Sequence, residues 1–207
     1  MNLSTQTKLL FLPGASGNTS FWHPVADRLE HPGERVHYGW PGFGPTPRDP
    51  AVNGMDDLVA RVVADIDRPT ALIAQSMGGV VAIRAALEKP SLVTHLVLSV
   101  TSGGMDVAAM GGVDWREALH AGAPALPRWF ADYREDLTEL LPTIGVPVLL
   151  LWGDADPVSP VAVGERLARL LPRAELHVIA GGDHNLANTW AAHVAPLIDR
   201  HLGRLAE

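Results

Sequence analysis

The sequence predicts an α/β fold, a mostly parallel sheet of about six strands with helices on both faces. Three observations carry this expectation. Six short runs rich in Leu, Val and Ile (KLLFLP, RVHYG, TALIAQ, HLVLSV, VPVLLLW and ELHVIA) begin at positions 8, 35, 70, 95, 146 and 175. They lack strict alternation, as expected of strands covered on both faces. Segments with helical periodicity lie between them, and regular alternation of strand and helix points to a parallel sheet.

Each element has its own signal. The first run leads directly into a Gly-rich turn, Pro13-Gly14-Ala15-Ser16-Gly17. Met55, Leu58, Val59, Val62, Val63 and Ile66 share one helix face, with Asn53 as the expected N-cap and Pro69 beyond the end. Residues 77–89 read as a helix stopped by Pro90, and 160–171 and 186–202 read as helices too. Residues 103–130 break the alternation, mixing Gly, Pro and Trp with short helical pieces. The expectation is one domain over residues 1–207, with a small cap insertion at about 103–130 above the sheet.

Composition excludes several function classes. A length of 207 residues allows one sizeable core, and 47% hydrophobic with 19% charged residues is an ordinary globular balance. A formal net charge of −7 with scattered basic residues argues against nucleic acid or an acidic membrane surface as partner. There is no cysteine, which removes disulfides, thiol nucleophiles and Cys-ligated metals. The nine histidines show no zinc-like spacing with a third ligand, so no metal is expected. Lacking a signal-like or membrane-length apolar stretch, the chain is expected to be soluble and cytoplasmic. Oligomeric state is left open by the sequence.

Ser76 stands where the apolar run TALIAQ stops and a helical pattern begins. A serine at such a junction sits on a sharp turn, so small residues are needed nearby, and Ala74, Gly78 and Gly79 supply them. The turn exposes the hydroxyl above the sheet edge, beside the free N–H groups of a helix N-terminus. An N-cap serine before a helix leaves a similar trace. A hydroxyl is a weak nucleophile until a base takes its proton. His184 follows the run ELHVIA, and Asp156 follows VPVLLLW, with Asp154 as the alternative acid. Residues beyond the carboxyl ends of parallel strands gather at one edge, so these three can converge. Their order, Ser76, Asp156, His184, is that of sheet enzymes with a nucleophile elbow.

Four segments in this order resemble the α/β-hydrolase superfamily over nearly the whole chain. LFLPGASGNTSFW is similar to its oxyanion loop, with Pro13-Gly14 in place of the usual His-Gly and Trp22 where the family carries a Trp. YGWPGFGPT is similar to its Asp-x-Pro-Gly-x-Gly-x-Ser segment, with Gly39 replacing the acid and Thr46 near the serine position. WGDADPVSP and GGDHNLA resemble its acid and histidine loops. The resemblance implies Ser76, Asp156 and His184 as a catalytic triad and the Ala15 and Met77 N–H groups as an oxyanion hole. It also implies a sheet trimmed at its N-terminal side and a smaller cap than many relatives have.

The implied function is a serine hydrolase cleaving a small-molecule ester or thioester through an acyl-enzyme, without a cofactor. The small size and simple loops look most like carboxylesterases of the biotin-pathway type. Trp22, Met110, Trp115, Trp129 and Phe130 are candidate pocket residues, and plain packing explains them equally well. His23 can line the pocket or face solvent. Lactone opening, C–C bond hydrolysis and a non-catalytic binding protein on the same scaffold are the alternatives, because fold alone does not separate them. Gly42-Phe43-Gly44 followed by Pro45 lacks the third glycine of a dinucleotide loop, and the Gly14–Gly17 turn lacks the Lys-Ser/Thr of a phosphate loop.

Overall fold

A computed structural model describes residues 7–113 and 126–203. Its core is a six-stranded sheet in the order β2-β1-β3-β4-β5-β6, with every pairing parallel. The strands are β1 (Lys8–Leu12), β2 (Glu34–His37), β3 (Thr70–Gln75), β4 (Val93–Ser99), β5 (Val148–Gly153) and β6 (Ala174–Ile179). Every residue of β1, β3 and β5 is buried, as their unbroken apolar runs require. The edge strands β2 and β6 are only partly covered, and Val178 of β6 is 47% exposed.

The helices are α1 (His23–Ala26), α2 (Met55–Asp65), α3 (Met77–Glu88), α4 (Arg128–Asp132), α5 (Val161–Leu170), α6 (Leu186–Thr189) and α7 (Ala191–Leu202). Met55, Leu58, Val59 and Val62 are the buried side of α2, as the periodicity expects. The N-cap of α2 is Gly54, not Asn53. The Asn53 side chain instead donates back to Pro50 O, and its N–H donates to Asp57 Oδ2 at 2.7 Å. The region expected as one helix over 186–202 is two, because Trp190 leaves helical geometry at φ −103°, ψ 30°. The break lets Asn188 of α6 donate to Phe21 O, while α7 packs against α1 and β4. No helix among the described residues is long and apolar enough to cross a membrane.

The chain runs from β1 to β2 on one side, then returns to β3 on the other side of β1. That reversal opens a crevice beyond the carboxyl ends of β1 and β3, where ligands bind in sheets of this kind. Here α3 approaches β1 unusually closely. A Cβ placed at Gly78 would stand 2.6 Å from the carbonyl oxygens of both Leu12 and Pro13. Those atoms are backbone and cannot swing away. Gly78→Ala is therefore expected to destabilise the protein by about 1–3 kcal/mol, read as a lowered urea midpoint with an unchanged slope.

Candidate active site

Ser76 adopts φ 52°, ψ −119°, between the end of β3 and the first residue of α3. Only one other described non-glycine residue, Val100, has a positive φ, and it follows β4 immediately. Non-glycine residues pay of order 1–3 kcal/mol for such conformations, which persist only where the surroundings over-determine them. The Ser76 N–H donates to Ser99 O at 3.0 Å, and Ser76 O accepts from Gly79 N–H and from Thr101 Oγ1. Ala74 beneath is fully buried.

The structure brings the three predicted polar residues together. His184 Nε2 lies 3.1 Å from Ser76 Oγ, and His184 Nδ1 lies 2.8 Å from Asp156 Oδ2. With Nδ1 carrying its proton toward the carboxylate, the Nε2 lone pair faces the serine hydroxyl. The Asp156 side chain is fully buried, while that of His184 is 27% exposed. The other Asp156 oxygen accepts the Val158 and Ser159 N–H groups at 2.8 and 3.1 Å. A buried carboxylate with its oxygens satisfied in this way is held in one orientation. Asp154 points elsewhere, accepting the Gly181 N–H at 2.6 Å.

The acid and histidine loops interlock through their backbones. Ala155 N–H donates to Gly182 O at 2.9 Å, and a Cβ at Gly153 would stand 2.1 Å from that same oxygen. The Gln75 side chain ties the histidine loop to the serine turn, donating from Nε2 to His184 O at 3.1 Å.

Ala15 and Met77, the expected oxyanion donors, line the same cavity as Ser76 and His184. Met77 opens α3, so its N–H has no carbonyl within the helix to bond. Gly14 lies directly against the turn, and a Cβ there would stand 3.1 Å from Ser76 Cβ. Ser20 does not cap α1, which begins after Trp22.

The cavity has a volume of about 630 Å³, ordinary for a small-molecule site. Phe130, one of the candidate pocket residues, lines it. Trp22 does not. It is 1% exposed and donates its indole N–H to Leu12 O, because that buried β1 carbonyl needs a donor. Trp129 meets Phe43 edge-on, as Phe130 does, but lines a separate hollow with Pro41 and Arg48. Met110 packs on the edge of the core outside the cavity, and Trp115 lies outside the described residues. His23 is exposed and sits edge-on to His37, away from the cavity.

Sequence reasoning missed Met105, Val107, Tyr133, Arg134 and Glu135 on the cavity wall. They lie in irregular segments with no period to show which way they face. Arg84 of α3 anchors this wall, pairing with Asp56 at 2.7 Å and Glu135 at 3.7 Å. Burial opposes the Arg84 charge, but the Asp56 hydrogen bond and the Glu135 charge outweigh it and raise the Arg84 pKa. Burial and a hydrogen bond to Glu135 push the Tyr133 phenol well above its ordinary range, so it stays protonated. Among the described residues no group of three or more His, Asp or Glu side chains can hold a metal ion.

A parallel sheet carrying a strained serine, a histidine and a buried carboxylate beyond its strand ends defines an α/β-type hydrolase architecture. The chain belongs to the alpha/beta hydrolase family, whose pattern it matches over residues 9–138. It is 25% identical over 226 residues to a pimeloyl-[acyl-carrier protein] methyl ester esterase of Vibrio atlanticus, covering 85% of this chain and 86% of that protein. A putative non-heme chloroperoxidase of Synechocystis is 36% identical over 89 residues, 41% of this chain but only 31% of that protein. Among solved structures, a thermophilic esterase from Thermogutta terrifontis superposes with a TM-score of 0.77 at 20% identity, covering 96% of this chain and 90% of that one.

The segment that leaves β1 is held by two buried tryptophans, Trp22 on Leu12 O and Trp40 on Pro13 O at 2.8 Å. Trp40→Phe is expected to cost about 2–4 kcal/mol from the lost hydrogen bond and the space left behind. Chemical denaturation monitored by the remaining tryptophans measures it.

Proposed function

We propose that this protein is a serine hydrolase that cleaves a carboxylic ester or thioester of a small molecule through an acyl-enzyme. The observation that carries the reading is the continuous chain from Ser76 Oγ through His184 to Asp156, at 3.1 and 2.8 Å, opening onto a cavity shared with Ala15 and Met77. The similarity to the Vibrio esterase supports the ester class.

His184 Nε2 takes the Ser76 proton as Oγ attacks the substrate carbonyl. Asp156 holds the ring in the correct tautomer and stabilises its charged form. The carbonyl oxygen becomes an oxyanion facing the Met77 and Ala15 N–H groups, each such donor being worth ~10²–10³ in rate. His184 then gives its proton to the leaving alkoxide or thiolate, and water repeats the sequence on the acyl-enzyme. None of these steps requires a cofactor.

In this reading the described parts of the 103–130 segment add Met105, Val107 and Phe130 to the cavity wall of a single domain, and residues 114–125 of the expected small cap lie outside the described residues. A net charge of −7 supports a small-molecule partner rather than nucleic acid.

The test is turnover of p-nitrophenyl butyrate together with fluorophosphonate labelling. Ser76→Ala is expected to lose activity by roughly 10⁴-fold or more and all labelling. Asp156→Asn is expected to lose ~10⁴-fold through the wrong tautomer, whereas Asp154→Asn keeps kcat within about threefold, since that side chain only ties down a loop. A folded wild type that neither turns over the ester nor takes the label is instead a binding protein on this scaffold.

A further inference from the structure

We propose that Thr101 is a positioning residue that aims the Met77 N–H at the reacting oxygen. The inference rests on the serine-hydrolase reading above and adds a residue that no family motif marks.

One peptide unit joins Ser76 to Met77. Its atoms lie in one plane, with the Ser76 carbonyl and the Met77 N–H pointing in opposite directions. Whatever fixes the carbonyl fixes the N–H. Thr101 Oγ1 donates to Ser76 O at 2.7 Å, and Gly79 N–H donates to the same oxygen at 2.9 Å. The carbonyl is thus pinned away from the cavity, and the N–H is turned toward the side that Met77 and Ser76 line.

Thr101 is itself tightly held. It is fully buried, and its hydroxyl accepts the Gly103 N–H at 3.2 Å, which leaves its single proton for Ser76 O. Thr101 O accepts from Ser159 Oγ at 3.4 Å, and the Ser159 N–H bonds the Asp156 carboxylate. One brace therefore runs from the acid loop to the serine turn without passing through His184. The N-terminal turn of α3 lies against it, since a Cβ at Gly79 would stand 2.5 Å from Thr101 Oγ1.

The preceding residue explains how the hydroxyl reaches its target. Val100 has φ 43°, and its N–H donates to Leu151 O. A β-branched residue at positive φ is an outlier. Here it turns the chain out of β4, and the next side chain, Thr101, reaches Ser76 O. The second strained non-glycine residue among those described, Val100, thus immediately precedes the residue whose hydroxyl bonds the carbonyl of the first, Ser76.

The experiment compares wild type, Thr101→Val, Thr101→Ser and Thr101→Ala with p-nitrophenyl butyrate and with a butyl trifluoromethyl ketone. In the ketone adduct Ser76 Oγ bonds to the carbonyl carbon, its proton passes to His184, and the carbonyl oxygen becomes an oxyanion where Met77 points. Thr101→Val is expected to lower kcat by ~10- to 10²-fold, with KM within about threefold and ketone affinity reduced by a similar factor as kcat. Thr101→Ser is expected to restore both. Should the valine variant fail to fold, the Ser and Ala variants differ only in the hydroxyl and must show the same ratio. Equal kcat and ketone affinity within either hydroxyl pair, in folded protein, overturns the proposal while leaving the hydrolase reading intact. An inactive, unlabelled wild type overturns both.

Discussion

A serine at φ 52°, ψ −119° occupies backbone space that residues with a Cβ avoid, and the rest of the site exists to hold it there. The strain is local, but the forces that oppose its release come from every neighbouring strand. Beneath it, β3 is fully buried, so the turn cannot slide. Gly78 lets α3 press against the β1 carbonyls, which fixes the direction in which the helix leaves. Release of the turn would require α3 to lift from the sheet and expose Val81, Ala82 and Ala85, all of them completely buried. Burial of that helix face therefore sustains the strain, at roughly 25 cal/mol per Å² of apolar surface.

The same logic places Asp156 and His184. Asp156 and His184 come from loops after β5 and β6, and neither loop has regular structure to rigidify it. Their precision comes from close backbone contact between Ala155 and Gly182, and from Gln75 reaching across to His184 O. Gln75 is 4% exposed, so its amide acts in a region of low dielectric where a hydrogen bond is strong. The residue next to Ser76 thus helps to hold His184. Three loops that would wander independently become one body.

Much of this was legible in the sequence because the constraints are local. The unbroken apolar runs of β1, β3 and β5 mark strands buried on both faces, and the small residues around Ser76 mark a turn with no room. Pocket residues were legible only in part. Trp22 near a Gly-rich loop reads the same whether it faces a ligand or the core, and the deciding fact is the need of Leu12 O for a donor. Trp129 and Phe130 are adjacent on a short helix and both pack on Phe43, yet only Phe130 reaches the cavity with Ser76. The run Tyr133-Arg134-Glu135-Asp136 has the look of a solvated stretch. It becomes cavity wall because Arg84, from a distant helix, draws Glu135 in. Such long-range pairing leaves no local pattern to read.

The departure at Pro13-Gly14, where the family usually has His-Gly, also has a physical reading. The segment that follows β1 has to bring its backbone close to the Ser76 turn, where a Cβ at Gly14 would stand 3.1 Å from Ser76 Cβ. Gly14 meets that need by lacking the Cβ that would stand 2.2 Å from Gln75 Oε1. Pro13 offers no N–H and a fixed φ, so it adds stiffness without adding a donor that must be satisfied. Its carbonyl is taken by the Trp40 indole, which arrives from the Gly39–Thr46 segment. Thus the second altered motif supports the first. Trp40 supplies the anchoring from behind, and the exchange of histidine for proline leaves the path of the loop to Ala15 intact.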